Sequence, residues 1–365
     1  MQHILTETHE NAKIEDEKLI LSIFVAGISF LDLNQKKNLI KNLDSPRSLA
    51  LLSIEEIFKF AQCDIKRRAV WNGAEGLRMA RAAAYQCERM GIKILLHDDE
   101  AYPEALRQIA DSPFLLFVRG DEKLLGERCV SVVGTRRLSQ AGRVAARTFA
   151  YEAAADGCNV ISGLAVGADS YAHLGALDAY YDWYEKNSGV SRSEAEHGPG
   201  RTIAVLPGSI DNIVPYTNKR LAASVLQSGG CIVSEYAPGL PTEKWHFVAR
   251  NRIVAGLSPA TVVIEAPVGS GALITADFAL EEGRDVFFHE AAFGEPAKRI
   301  SQVIKTNLEK SYAVGRVSKF KMENTPERFL KDGAPVIKNY KDFCAALEEM
   351  PGLRSTLPLQ GELFT

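Results

Sequence analysis

Three short glycine-bearing stretches hold the residues whose chemistry is easiest to state. Gly134-Thr135-Arg136 with Arg137, Ser162-Gly163 with Gly167, and Gly269-Ser270-Gly271 each follow an apolar run and precede a segment of helical composition. Successive backbone N–H groups at a helix start form an anion site, and glycine lets a phosphate approach closely. Any one of them also reads as a tight turn. Three in one chain, one carrying two arginines, favour an anionic ligand.

A second cluster joins Lys244-Trp245-His246-Phe247 to Arg250-Asn251-Arg252. Arginines beside exposed aromatics suit the phosphates and bases of a single strand, where stacking contributes about 1 to 3 kcal/mol per base. The same residues equally fit a core in which Trp245 and Phe247 pack inside and the arginines pair with carboxylates. His173, four residues after Asp169, shares a helix face with it. That spacing allows an acid–base pair, but a cap-region aspartate beside a packed histidine is the simpler reading. Glu235 and Glu265, at strand ends, read as partners for loop arginines.

Standard nucleotide chemistry finds little support. The chain has no G-x-x-x-x-G-K-[ST], no Gly-Lys pair at all, and no G-x-G-x-x-G after a strand, which argues against ATP hydrolysis and dinucleotide redox chemistry. It also lacks G-x-S-x-G and H-E-x-x-H.

The elements that position these loops follow a strand–loop–helix rhythm. Val130–Val133 reads as a buried parallel strand, and Gln140 to Asp156 as a helix closed by Gly157. Val160-Ile161, Thr202–Leu206, Cys231–Val233, Thr261–Glu265 and Asp285–Phe288 read as further strands. Helices are expected from near Gly167, over Thr217–Gln227 and over Ala272–Glu282. Right-handed crossovers then predict a doubly wound, mostly parallel α/β sheet, with ligands outside the carboxyl ends of its strands. Strands at Ile92–Leu96 and Phe114–Val118, with a short helix at Tyr102–Leu106, extend its edge. Residues 15 to 88 read as a small bundle of short helices. A helix-hairpin-helix needs a glycine-bearing hairpin, and Gly27 stands alone, so a packing or interaction module is the simpler reading. Tyr180 to Gly200 breaks the rhythm, its tail reading as a surface loop and its aromatics as a partner surface or as packing onto the sheet. Lys298 to Lys321 is lysine-rich and weakly patterned, Pro326–Leu330 and Asn339–Glu348 suggest short helices, and Pro351–Thr365 reads as a tail.

Composition sets outer limits. The chain has 365 residues, 46% hydrophobic and 24% charged, with a formal net charge of −3, values of an ordinary globular protein in which any nucleic-acid site is a local patch. Six scattered cysteines without C-x-x-C fit reduced thiols and no structural zinc. Met1 to Lys18 lacks a signal-peptide core, and no apolar run reaches the roughly 18 residues of a membrane span, so the cytoplasm is the expected location.

In order along the chain, Ser131-Val132-Val133-Gly134-Thr135-Arg136, Ser162-Gly163-Leu164-Ala165, Arg250-Asn251-Arg252-Ile253-Val254-Ala255-Gly256-Leu257-Ser258 and Ser270-Gly271-Ala272-Leu273-Ile274-Thr275-Ala276 resemble the DNA-processing protein A (DprA/Smf) family. The resemblance covers about residues 90 to 290. It implies an extended Rossmann-like domain over 89–349, after a helical domain over 1–88 and before a tail over 350–365 too short for the winged-helix domain of many members. It implies a non-catalytic protein without cofactor that binds single-stranded DNA, commonly as a homodimer, and helps load the RecA recombinase in natural transformation. Carried over, Gly134, Thr135, Arg136, Ser162, Gly163, Lys244, Phe247, Arg250 and Arg252 form the strand-binding groove, with Ser270 and Gly271 from the third loop. The family usually has a basic residue where Val166 stands, so that phosphate contact is either missing here or supplied by Arg137 or Lys219. The alternative is a Rossmann-like nucleotide phosphoribohydrolase, similar to the lysine-decarboxylase-like enzymes, although no glutamate follows Gly269-Ser270-Gly271 at their spacing. A third reading is a recruiting module whose partner is another protein.

Overall fold

A computed structural model describes residues 16–64, 69–187 and 198–349. The chain opens with helices α1 (16–26), α2 (Leu33–Lys41), α3 (Pro46–Leu51), α4 (Ile54–Ala61) and α5 (Gly73–Met90). Their starts are written in the sequence. Asp32 with Gln35, and Ser53 with Glu56, form reciprocal capping boxes that satisfy otherwise orphaned N–H groups. Leu21, Phe24, Leu39, Leu49, Ile57 and Phe58 form one apolar cluster with Leu115, Phe117 and Ile232 of the sheet and with Phe114 just before β2. The helices therefore bury their faces against the sheet edge as well as against each other.

The sheet is built from β1 (Lys93–Leu96), α6 (Glu104–Arg107), β2 (Leu115–Gly120), β3 (Cys129–Val133), α7 (Gln140–Ala155), β4 (Asn159–Ser162), α8 (Ala168–Lys186), β5 (Thr202–Val205), α9 (Lys219–Gln227) and β6 (Cys231–Ser234). It continues through α10 (His246–Ala249), α11 (Asn251–Gly256), β7 (Ala260–Val263), α12 (Gly271–Glu281), β8 (Asp285–His289), α13 (Glu295–Ala313), α14 (Lys319–Glu323), α15 (Pro326–Lys331), β9 (Val336–Ile337) and α16 (Tyr340–Glu349). The strand order among the described residues is β1-β2-β6-β5-β4-β3-β7-β8-β9. Only the β1–β2 and β2–β6 pairings are antiparallel. From β3 the chain winds to one side through β4, β5 and β6, then returns to place β7 on the other side of β3. The switch point, where such sheets bind ligands, lies at the carboxyl ends of β3 and β7.

Alternation along β3 serves both faces. Val130 and Val132 pack under α7 and α8, while Val133 joins the opposite core and Ser131 Oγ donates to Val254 O of α11 at 2.6 Å. Phe149 of α7 is fully buried against Tyr340 and Phe343 of α16; its replacement by alanine costs about 3 to 5 kcal/mol.

Two stretches differ from expectation. Tyr180, Tyr181, Trp183 and Tyr184 continue α8 rather than leaving the sheet's rhythm, because no breaker intervenes before Asn187; residues 188–197 lie outside the described residues, as does the tail after 349. The lysine-rich stretch holds a 19-residue helix, α13, since Ala297, Ile300, Ile304 and Leu308 recur at helical spacing beneath the lysines. No helix among the described residues is long and apolar enough to cross a membrane.

Candidate nucleic-acid interface

The loop after β3 is fixed by its own backbone. Thr135 N–H donates to Glu265 O at 2.7 Å, Thr135 O accepts from Ala168 N–H at 3.1 Å, and Thr135 Oγ1 accepts from Arg137 N–H at 3.2 Å. These bonds tie β3 to β7 and to the start of α8. Glu265, expected to pair with an arginine, instead accepts from Ser139 N–H at 2.9 Å and from the Ser139 hydroxyl at the start of α7. The loop leaves two cationic side chains, Arg136 and Arg137, exposed to solvent.

The loop after β4 is filled from inside. Ser162 Oγ donates to Val132 O at 2.7 Å, and the carboxylate of Asp169 accepts from Gly163 N–H at 3.1 Å and Ala165 N–H at 3.3 Å. The groups expected to cradle a phosphate therefore already hold a carboxylate. Arg250, buried like Asp169, donates through Nη1 to Gly163 O at 2.6 Å and to Val205 O, joining the ends of β4 and β5. Gly163 is required by that contact, since a Cβ there would stand 2.4 Å from the guanidinium. Burial pushes the Asp169 carboxyl up, against the opposing pull of Arg250 and the two N–H groups. His173 makes no acid–base pair with Asp169. Thr202 Oγ1 donates to Val160 O at 3.0 Å, so at 2.6 Å it accepts from His173 Nδ1–H, which assigns the neutral tautomer. Burial, with Arg250 nearby, lowers the pKa of His173 to about 3.

Arg252 is likewise an internal brace. Its guanidinium meets Asp111 at 2.8 Å, Glu235 at 2.7 Å and Ala249 O at 3.2 Å. Burial works against its charge, but Glu235 and Asp111 outweigh that and raise its pKa. Glu235 thus pairs with an arginine of the loop layer, as its place at a strand end suggests. Lys36 of α2 belongs to the same charge cluster, with Nζ donating to Ala26 O at 2.9 Å. Ser162 Oγ, Gly163 N–H, Arg250 Nη1 and the Arg252 guanidinium are thus engaged within the protein and hold the loops in place, while the buried Arg250 Nε has no hydrogen-bond partner among the described residues.

The exposed rim has the chemistry of the second cluster. The Arg136 guanidinium lies 5.4 Å from the ring centre of Phe247, within cation–π range. Exposed Lys244 precedes Trp245, which is 57% exposed. The Trp245 ring is nevertheless oriented, standing edge-on to His246 with centroids 4.0 Å apart, and His246 stacks on Tyr236 at 4.0 Å. Across the β4 loop, Lys219 Nζ lies 5.5 Å over Tyr216, which is 79% exposed. Asn218 ties that turn to Leu164 O at 2.8 Å. Sequence reading missed Tyr216; the available signal was an aromatic between Pro215 and Lys219, next to a glycine loop.

The third loop is partly covered. Ser270 starts α12 without a side-chain cap bond and Gly271 is exposed, but Gly269 N–H is taken by Asn324 O at 2.8 Å. At the switch point the cavity between Thr135, Glu265, Pro267, Lys298 and Pro326 holds about 20 Å³, whereas small-molecule sites need about 300 Å³ or more. A nucleotide does not fit there. A wider depression of about 730 Å³ lies at the opposite ends of the strands, where Lys93 pairs with Glu122 and Glu127 accepts from Asn159 at 3.0 Å. Among the described residues no three His, Cys, Asp or Glu side chains gather as metal ligands, and the six cysteines are free thiols.

Comparison with known proteins gives consistent results. The family model for DNA recombination-mediator protein A matches residues 93–348. Protein Smf of Borreliella burgdorferi is 30% identical over 295 residues, 78% of this chain and 85% of that protein. DNA processing protein DprA of Streptococcus pneumoniae is 39% identical over 189 residues, 52% of this chain and 60% of that protein. The match thus spans only part of some relatives, 48% of Protein Smf of Escherichia coli among them. The X-ray structure of the pneumococcal protein superposes with a TM-score of 0.62 at 28% identity, covering 89% of this chain and 97% of that one. A structure of DNA processing protein A from Helicobacter pylori, described for its single-stranded DNA binding mode, gives 0.51 at 26% identity over 70% of this chain and 95% of that one.

Proposed function

The chain belongs to the DNA recombination-mediator protein A (DprA/Smf) family, and from that premise we propose that it binds single-stranded DNA along the rim formed by Arg136, Phe247, Lys244, Trp245 and Lys219. The observation that carries this reading is the Arg136–Phe247 pair, a cation and a ring 5.4 Å apart at the exposed carboxyl edge of the sheet. Phosphates meet Arg136, Arg137, Lys244 and Lys219, and bases stack on Phe247 and Trp245. The buried Arg250 and Arg252 position these loops and touch no phosphate.

The protein acts by binding rather than by catalysis. Asp169, Glu235 and Glu265 each hold a loop or a helix start, and His173 is a neutral core residue. Functioning as a homodimer in the cytoplasm, it delivers the bound strand to a RecA-type recombinase. Fluorescence anisotropy of a labelled oligonucleotide tests the first step: affinity falls as salt rises, and absence of binding at low salt refutes the reading. Recombinase assembly on the strand, with and without the protein, tests the second.

A further inference from the structure

The stretch Glu295–Glu323 carries seven lysines and arginines against three glutamates in a chain of net charge −3. Its helix α13 has 19 residues, of which only Ala297 is buried, and at 1.5 Å per residue it extends about 28 Å. Ile300, Ile304 and Leu308 lie half-buried on the inner face; Lys298, Arg299, Lys305 and Lys310 are exposed on the others. Two exposed pairs, Glu295 with Lys298 and Lys319 with Glu323, both at 3.4 Å, contribute little. Among the described residues Lys310, Arg316 and Lys321 have no ion-pair partner. Between them stand Tyr312 and Phe320, the latter 58% exposed.

This arm is anchored beside the rim. Ala297 and Lys298 line the same small cavity as Thr135, the neighbour of Arg136. At the other end Lys321 lies across Gly269, where a Cβ would stand 2.7 Å from its Cγ and φ is +66°. Gly269 N–H donates to Asn324 O at 2.8 Å, and Asn324 Nδ2 donates to Asp277 at 2.6 Å. The arm is therefore docked by both ends onto the switch-point loops, with its cations and rings facing outward.

We propose that α13 and α14 form a second contact surface for single-stranded DNA, continuous with the Arg136 rim, in which Lys310, Arg316, Lys319 and Lys321 meet phosphates and Tyr312 and Phe320 stack bases. Interleaved cations and exposed rings are what a sequence-tolerant single-strand surface needs. The inference rests on the strand-binding reading above, which supplies the end of the strand that the arm extends.

The test uses the full chain and two thymidine oligonucleotides of about 6 and about 16 nucleotides, within the span of single-strand sites. Changing Lys310, Arg316, Lys319 and Lys321 together to alanine leaves the short oligonucleotide bound as before. It weakens the long one at least tenfold and flattens its salt dependence, by about 0.7 for each phosphate no longer neutralised. Tyr312→Ser with Phe320→Ser weakens the long oligonucleotide without changing its salt slope. Arg136→Ala weakens both lengths. Unchanged affinity of both arm variants for the long oligonucleotide, while Arg136→Ala still weakens it, overturns the arm alone, as does an arm variant that alters only self-association. A wild-type protein that binds neither length overturns the strand-binding reading and the arm with it.

Discussion

Arg136 and Phe247, 111 positions apart in the sequence, meet as a cation over a ring with 5.4 Å between guanidinium carbon and ring centre. The loop carrying Arg136 is held by the Thr135–Glu265 backbone bond, and Phe247 lies in the short helix α10 directly before Arg250. Arg136→Ala weakens binding of single-stranded DNA at every sequence and lowers the salt slope by about 0.7. Arg136→Lys keeps the charge and the slope but loses the guanidinium's contact with the Phe247 ring. Anisotropy titrations across a salt series separate the two, and a slope unchanged in the alanine variant removes Arg136 from the strand contacts.

Arg252 predicts the opposite pattern. Its side chain is almost wholly buried between Glu235 and Asp111, so Arg252→Ala leaves Glu235 without its partner in a half-buried setting. Removing one member of a buried pair costs about 3 kcal/mol, discounted here because Asp111 is exposed to water. The expected result is a lower melting temperature with the salt slope of DNA binding unchanged at temperatures where the variant remains folded. A slope reduced as far as in Arg136→Ala would make Arg252 a phosphate contact.

Arg136, exposed, and Arg250, buried, also show what the sequence could and could not convey. The run Val130–Val133, the helix closed at Gly157 and the β–loop–helix rhythm were legible because β-branched runs, capping residues and glycine punctuation act locally. Whether an arginine faces solvent or bridges the ends of β4 and β5 depends on residues 45 and 87 positions away, and no local spacing carries that. Asp169 filling the Gly163 loop is half legible: its position marks an aspartate near a helix start, but no local spacing says that its carboxylate occupies the loop expected to hold a phosphate. The helix α13 was legible in principle: Ala297, Ile300, Ile304 and Leu308 keep a helical period that the abundance of lysine hides.

His173 gives a pH signature. Its folded pKa, lowered to about 3, lies below the unfolded value near 6.5, so between these values the unfolded chain binds a proton that the native state does not. Its stabilising contribution is complete above about pH 6.5 and is lost as pH falls toward 3, at no more than about 1.4 kcal/mol per pH unit. The raised pKa of Asp169 acts in the opposite sense at low pH, so the comparison is made against His173→Gln. Denaturant unfolding from pH 7 to pH 4 is expected to show a stability difference between wild type and variant that narrows with acidification. A constant difference would mean that His173 titrates alike in both states.

Trp245 is 57% exposed, yet its ring is set edge-on to His246, which is itself stacked on Tyr236. A rigid exposed indole has little rotamer freedom left to lose on stacking, so a base that lands on it gains most of the contact energy. Trp245→Ala is expected to weaken single-strand binding by about 1 to 3 kcal/mol, while Trp245→Phe retains most of it and the salt slope is the same in both. With Trp71 and Trp183 replaced by phenylalanine, the remaining fluorescence reports Trp245 alone, and stacking quenches it in proportion to the bound fraction measured by anisotropy. Emission that stays constant through saturation would place the bases on Phe247 and the other exposed rings rather than on Trp245.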